Sequence, residues 1–395
     1  MEFIGIVAFV AALLFSVMVH EFGHYITARK FGMKVTEFFL GFGKRIWSTQ
    51  RGETEFGIKA IPAGGYCRIS GMTVRDEMDL GEEDRAFIKA SSGRKLIVLG
   101  AGSFLHFVLG FVILLILFIG IGTNRITPQV AQVSDCIPVA SEACTSSSLP
   151  SPAKAAGIKA GDYIMAINNQ PVENWADDVQ VIRDSAGKEL TLSIYRDGEK
   201  ITITATPVMR EVNGESRGIL GIINEVANVR SDPIKATKDS ISLSKEFLVS
   251  SVKSLVALPA KIPSLWGQTF QGEERDADGL IGIVGVAAVS GQVTSSDQMT
   301  WTERIGAFLL IVASLNFFVG VFNLLPILPL DGGHMAVAIA DEIRAFLARL
   351  RGKPRPKAID VTVLTPITMV VFVLLAVLTV MLLVADIINP VNLNL

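Results

Sequence analysis

The sequence predicts a polytopic α-helical membrane protein with four transmembrane helices, a membrane-associated β-hairpin and an inserted α+β domain on the far side of the membrane. Three observations carry that prediction. Half of the 395 residues are apolar and only 19% are charged, a balance of integral membrane proteins. Four stretches, roughly Ile4–Ala28, Leu96–Ile121, Ile305–Leu330 and Val361–Ile388, are long enough to cross a bilayer, which takes about 20 mostly apolar residues. Between the second and third lies a long polar segment, from about Gly122 to Trp301, whose alternating runs read as strands.

Composition also excludes. The net charge of −2 gives no footprint for nucleic acid. The three cysteines form neither a C-x-x-C metal site nor a disulfide framework. The first apolar run lacks a basic n-region and carries chemistry of its own, so it is not expected to be a cleaved signal.

That chemistry sits at the end of the first span, in His20-Glu21-Phe22-Gly23-His24. On a helix, positions i and i+4 share one face, so His20 and His24 can hold one metal ion, with Glu21 beside them to take a proton from water. Ionisable residues at membrane depth cost roughly 2.5–3.5 kcal/mol each and read as functional. The bland alternative is that the three merely end an anchor among the headgroups.

Basic residues set the orientation. They gather between Arg29 and Lys95 and again between Arg344 and Lys357. Both connections are therefore expected in the cytoplasm, with the long segment and both termini outside. In the first connection, Glu55–Ala60 alternates like a strand, Pro62-Ala63-Gly64-Gly65 is a turn signal, and Tyr66–Ile69 can return as a second strand. The hairpin is either an ordinary surface element or an edge that pairs with an extended substrate backbone. Thr73–Ala90 is acidic and polar and reads as a solvated linker. Cys67 reads as a small buried hydrophobe.

Outside, Cys136 and Cys144 are close enough for a disulfide that an exported compartment permits. A soluble domain is expected over 127–210. Ser151–Asp162 reads as a short helix and turn, Tyr163–Asn168 as a strand and Trp175–Ser185 as a helix. Leu190–Arg196 and Ile201–Ala205 form a hairpin around Asp197-Gly198. Residues 211–300 read as a linker with an amphipathic helix over Ile234–Ile262, ended by Pro259 and Pro263 and lying flat on the membrane. Val284–Val293 is apolar but too short to span. The membrane halves are then 1–126 and 301–395.

The third span closes on Asn323-Leu324-Leu325-Pro326-Ile327-Leu328-Pro329-Leu330-Asp331-Gly332-Gly333-His334. Two prolines cannot continue an undistorted helix, and broken backbone at this depth survives only beside a cavity or inside protein. Topology brings Asp331 to the level of His20 and His24. Two histidines and one carboxylate leave a fourth position for water, as in catalytic zinc sites.

Two resemblances add to this reading. The S-P-A-x-x-A-G-I-x-x-G-D segment from Ser151 and the R-D-G hairpin resemble a bacterial PDZ domain, over about Gln129 to Pro207. The H-E-F-G-H helix, the N-x-x-P-x-x-P-L-D-G-G segment, four spans and the inserted domain resemble the site-2 proteases, intramembrane zinc metalloproteases, over nearly the whole chain. The resemblance is nearest to the bacterial branch that clips membrane-bound regulators such as anti-sigma factors. It implies a Zn2+ ion held by His20, His24 and Asp331, with Glu21 as base and then acid. It also implies Asn323 on the substrate backbone or oxyanion, and the Gly64–Gly65 loop beside the active site. The expected substrates are single-span membrane proteins, met in the lipid bilayer of a bacterial plasma membrane.

One departure stands out. The family often carries A-G-P-x-x-N at the start of the second span, where this chain reads Ala101-Gly102-Ser103-Phe104-Leu105-His106. His106 is then either a further ligand or a polar contact between helices, and His334 is expected near the site without binding metal. A metal transporter and a membrane-anchored PDZ scaffold are the rival classes. The first would offer polar residues along a path through several spans; the second gives no reason for H-E-x-x-H.

Overall fold

A computed structural model of the chain describes residues 1–72, 76, 78, 81–137, 144, 148–212, 215–273, 275 and 279–393. They form two compact units, Met1–Ile121 with Ser231–Leu395, and Gly122–Arg230.

The first unit is helical. Its helices are α1 (Glu2–Lys30), α2 (Ser92–Ile116, extended by a π turn to Ile121), α5 (Pro233–Phe270), α6 (Ile283–Ser295), α7 (Trp301–Asn323), α8 (Asp331–Leu350) and α9 (Thr365–Ile388). Five helical stretches among the described residues are long and apolar enough to cross a membrane: α1, α2 with its extension, α5, α7 and Val361–Ile388. The protein is thus a polytopic membrane protein. On α9, Ile367, Phe372, Val373, Leu374 and Val377 are exposed, as befits side chains that face lipid.

Two helices differ from expectation. α5 does not stop at Pro259 but runs through it and Pro263 to Phe270. A proline costs its own N–H bond and crowds the preceding turn, yet the flanking residues hold the helix together. The third span ends at Asn323 rather than Leu330, and Asp331 opens a new helix, α8.

The hairpin is also rearranged. β1 (Val35–Arg51) and β2 (Thr54–Ile69) turn at Gly52–Glu53. The expected strands at 55–60 and 66–69 exist, but they do not pair with each other. Both pair with the first part of β1: Glu37 has Glu55 and Arg68 as partners, and Phe38 has Phe56 and Cys67. The apolar run Phe38–Leu40 is the most sheltered segment here, with Phe39 buried, so it takes the centre and β2 folds around it.

The linker expected at Thr73–Ala90 falls partly outside the described residues. Within it, Phe87 is buried in a cluster with Ala28, Met33, Val35, Ile69, Val98 and Leu99, and Arg85 forms a two-pronged ion pair with Glu53 at 2.7 and 2.9 Å. This stretch is thus tied to the C-terminal end of α1, at Ala28, and to the start of α2, at Val98 and Leu99.

The second unit is built on a sheet of order β12-β3-β6-β8-β9, with β7 beside β6. Its strands are β3 (Thr123–Val133), β6 (Tyr163–Ile167), β7 (Gln170–Pro171), β8 (Leu190–Arg196), β9 (Glu199–Ala205) and β12 (Ile222–Val229). The short pairs β4 (Cys136–Ile137) with β5 (Leu149–Pro150) and β10 (Val208–Val212) with β11 (Glu215–Ile219) stand apart from it. The short helix α3 (Pro152–Ala155) and α4 (Trp175–Arg183) complete the unit, whose core holds Ile164, Leu192, Ile194, Trp175 and Ile182. Residues 222–229, read from sequence as linker, pair along β3 and so belong to this sheet. Cys136 and Cys144 are disulfide-bonded, with Cα atoms 5.9 Å apart.

Candidate metal centre

α1 is helical through the H-E-F-G-H segment, so His20 and His24 emerge one turn apart on its inner face, each only 7% exposed. The two prolines end α7, and the chain from Leu324 to Leu330 makes tight turns before α8 begins. Asp331 is the first residue of α8 and sits over the same point. Its position depends on Gly332, where an added Cβ would lie 2.3 Å from the Leu324 carbonyl carbon; any side chain there would lift Asp331 off the turn.

The result is a tight triangle. Nε2 of His20 and Nε2 of His24 are 3.0 Å apart, and the Asp331 Oδ2 lies 3.1 Å from the first and 3.3 Å from the second. Ligands about 2.0–2.1 Å from a tetrahedral zinc are separated by roughly 3.3–3.4 Å, so these three atoms have the spacing of three corners of such a site. Among the described residues, this is the one group whose donor atoms converge in this way.

The supporting contacts fit the same purpose. Nδ1 of His24 donates to the Val98 carbonyl at 2.8 Å, which leaves the Nε2 lone pair for the centre. Gly102 of α2 supplies a flat wall: a Cβ there would lie 2.5 Å from His20 Cε1 and 2.6 Å from His24 Nε2. The Nδ1 of His20 is buried with no hydrogen-bond partner among the described residues. Two imidazole Nε2 atoms and a carboxylate oxygen, gathered within bonding reach of one point, form a polar set that a cation completes.

Glu21 borders the same open cavity as His20, Asp331, Asn323, Pro329 and His106. The sequence-predicted residues His20, Glu21, His24, Asp331 and Asn323 are thus brought together. The loop residues are less uniform. Gly65 lies against Met18 and Val17, one turn before Glu21, whereas Gly64 faces the Phe42 ring and neither borders the cavity. His334 lines a different cavity with Lys95 and Asp341.

Sequence reasoning missed Val98, whose contribution is a backbone oxygen and leaves no mark in the residue pattern. It also missed Asn316 and Ser16, which join His106 in a buried chain: His106 Nδ1 to Asn316 Oδ1 at 2.8 Å, and Asn316 Nδ2 to Ser16 Oγ at 3.1 Å. A lone Asn and Ser in apolar helices are the available signal.

Comparison with known proteins agrees with this geometry. The model of peptidase family M50 matches residues 8–376. The zinc metalloprotease Rip1 of Mycobacterium tuberculosis (strain ATCC 25618 / H37Rv) is 34% identical over 408 residues, covering 98% of both chains. The zinc metalloprotease Rip1 of Mycolicibacterium smegmatis is also 34% identical, over 410 residues and 98% of both. Family match, full-length relatives and a three-donor centre at the end of a membrane helix lead to one conclusion: the chain belongs to peptidase family M50, the site-2 proteases, and is a zinc-dependent metalloendopeptidase of the membrane.

Proposed function

We propose that this peptidase hydrolyses bonds within the transmembrane segments of single-span membrane proteins, with already-trimmed regulators such as anti-sigma factors as its substrate class. The observation that carries this is the triangle of His20, His24 and Asp331 beside Glu21, set in helices whose outer faces are apolar.

His20, His24 and Asp331 would hold the zinc ion. Bound there, zinc lowers the pKa of water from 15.7 to about 7 and polarises a carbonyl. The rest falls to the chain. Glu21 takes the proton of the attacking water and passes it to the leaving amine nitrogen. Asn323, on the cavity wall, holds the substrate carbonyl or the oxyanion that forms from it. A helical substrate hides its carbonyls in hydrogen bonds, so it must unwind first. The β1–β2 sheet, with Gly64 and Gly65 in its bend, offers edges on which the extended form pairs.

In this reading the chain crosses the membrane four times, and the basic connections favour both termini outside and the centre near the cytoplasmic side. In this arrangement α5, with lysines at 235, 238, 245, 253 and 261, lies along the outer surface. The domain expected over 127–210 acts as a PDZ filter that admits substrates whose outer part has been removed.

The test is Glu21→Gln in the intact chain. The variant should keep its zinc, lose cleavage, and cause single-span proteins to accumulate as trimmed stubs in the membrane proteome. Substantial turnover by the purified variant would remove Glu21 from its role.

A further inference from the structure

The cavity beside the triangle has one wall that the reaction above does not use. His106, on α2, is 2% exposed, borders the cavity with His20, Glu21 and Asp331, and its ring centroid is 5.0 Å from that of His20. It is not among the residues whose donor atoms converge on the metal position.

Its protonation pattern is fixed by what stands behind it. Asn316, fully buried, approaches the Val312 carbonyl at 2.8 Å and Ser16 Oγ at 3.1 Å through one side-chain atom. A carbonyl can only accept, so that atom is the amide nitrogen. The other atom, 2.8 Å from His106 Nδ1, is therefore the amide oxygen, which also can only accept. The proton of the neutral imidazole then resides on Nδ1. Nε2 is left as a lone pair with no partner among the described residues, on a ring that faces the reaction cavity.

We propose that His106 is a further residue of the cleavage reaction, whose Nε2 accepts a hydrogen bond from the scissile N–H, and that Asn316 is the positioning residue that holds it in this tautomer. This rests on the hydrolysis reading above. No bond to His106 forms or breaks. The scissile nitrogen starts as a planar amide, a weak donor. As water adds to the carbonyl and Glu21 delivers a proton, that nitrogen becomes a cationic amine, and its N–H becomes a strong donor. An acceptor fixed at that nitrogen therefore stabilises the transition state more than the bound substrate. The contribution belongs in kcat and not in KM.

The experiment uses the full chain in detergent, with a single-span protein that accumulates in the Glu21→Gln strain as substrate. The variants are His106→Gln, Asn316→Leu and the double. Each is measured for zinc content, for the visible spectrum after cobalt(II) replacement, and for kcat and KM. We expect full metal content, an unaltered cobalt spectrum, unchanged KM and a kcat about 10- to 100-fold lower in each single variant. The double should be no slower than His106→Gln. A normal kcat in His106→Gln would reduce the residue to a contact between helices. An altered cobalt spectrum would make it a ligand, and multiplying losses in the double would break the link to Asn316. If His106→Gln does not fold, Asn316→Leu carries the test by the same readouts. An active Glu21→Gln sinks the underlying reading, whereas a dead Glu21→Gln beside a fully active His106→Gln sinks this inference alone.

Discussion

Gly102→Ala is the most direct probe of how α2 shapes the centre. The new methyl would lie 2.5 Å from His20 Cε1, 2.6 Å from His24 Nε2 and 2.7 Å from His20 Nδ1. Ordinary carbon contacts need about 3.5 Å or more, so the rings or the helix must give by roughly 1 Å. Metal sites tolerate about 0.2 Å in their bonds. Overpacking of this kind typically costs about 1–3 kcal/mol, and at about 1.4 kcal/mol per decade that is a roughly 5- to 150-fold loss of zinc affinity. Chelator competition on the purified protein measures it. Gly100→Ala is the internal control, because its methyl would meet only Met335, at 3.7 Å and beyond. Gly102→Ala protein with the zinc affinity of Gly100→Ala protein would refute the argument that α2 presses on the imidazoles.

Two further outcomes follow from the same structure. Gly332→Ala should cost zinc and activity together, because its Cβ meets fixed backbone at Leu324 and Leu325 and must displace Asp331; zinc content of the purified variant checks it. In the second unit, the Asp162 carboxylate is paired with Arg196 Nε at 2.6 Å and accepts from the Lys159 N–H at 2.8 Å. Burial raises its pKa, but these partners outweigh that and hold it below the ordinary carboxylate range. Its contribution is therefore complete above about pH 3.9, the unfolded value, and is lost as pH falls from there through the lower folded value. Asp162→Asn should cost about 2 kcal/mol at neutral pH, read as faster hydrogen exchange over β6 and β8, with a smaller difference from wild type in strong acid.

What could be read in advance was local or chemically distinctive. The i, i+4 histidines are legible because a helix converts spacing into direction, and Asp331 because a carboxylate just after two prolines has few other reasons to end an apolar run. The order of segments in β1 and β2 was not legible: Glu55–Ala60 and Tyr66–Ile69 read as strands that pair with each other, and only three-dimensional burial shows that Phe38–Leu40 takes the place between them. Gly102 looked like any small residue of a membrane helix; its role depends on rings that approach from another segment. The partnership of His106 with Asn316 spans 210 positions, and only folding reveals that one amide has its orientation dictated by a carbonyl behind it. Cys67, expected to be a small buried hydrophobe, is partly buried against the cluster of Ala28, Val35 and Ile69.

The first and last strands of the second unit carry one more implication. Thr123 and Val229 face each other across the β3–β12 pairing, and on the helical side the Ser231 N–H donates to the Phe118 carbonyl at 2.9 Å. The chain leaves and re-enters through a single narrow doorway. A module attached this way can be removed and its stumps rejoined by a few residues, because terminal proximity is what lets insertions be exchanged without disturbing the host. Evolution can thus exchange the second unit while the helical unit that carries the metal triangle is inherited unchanged.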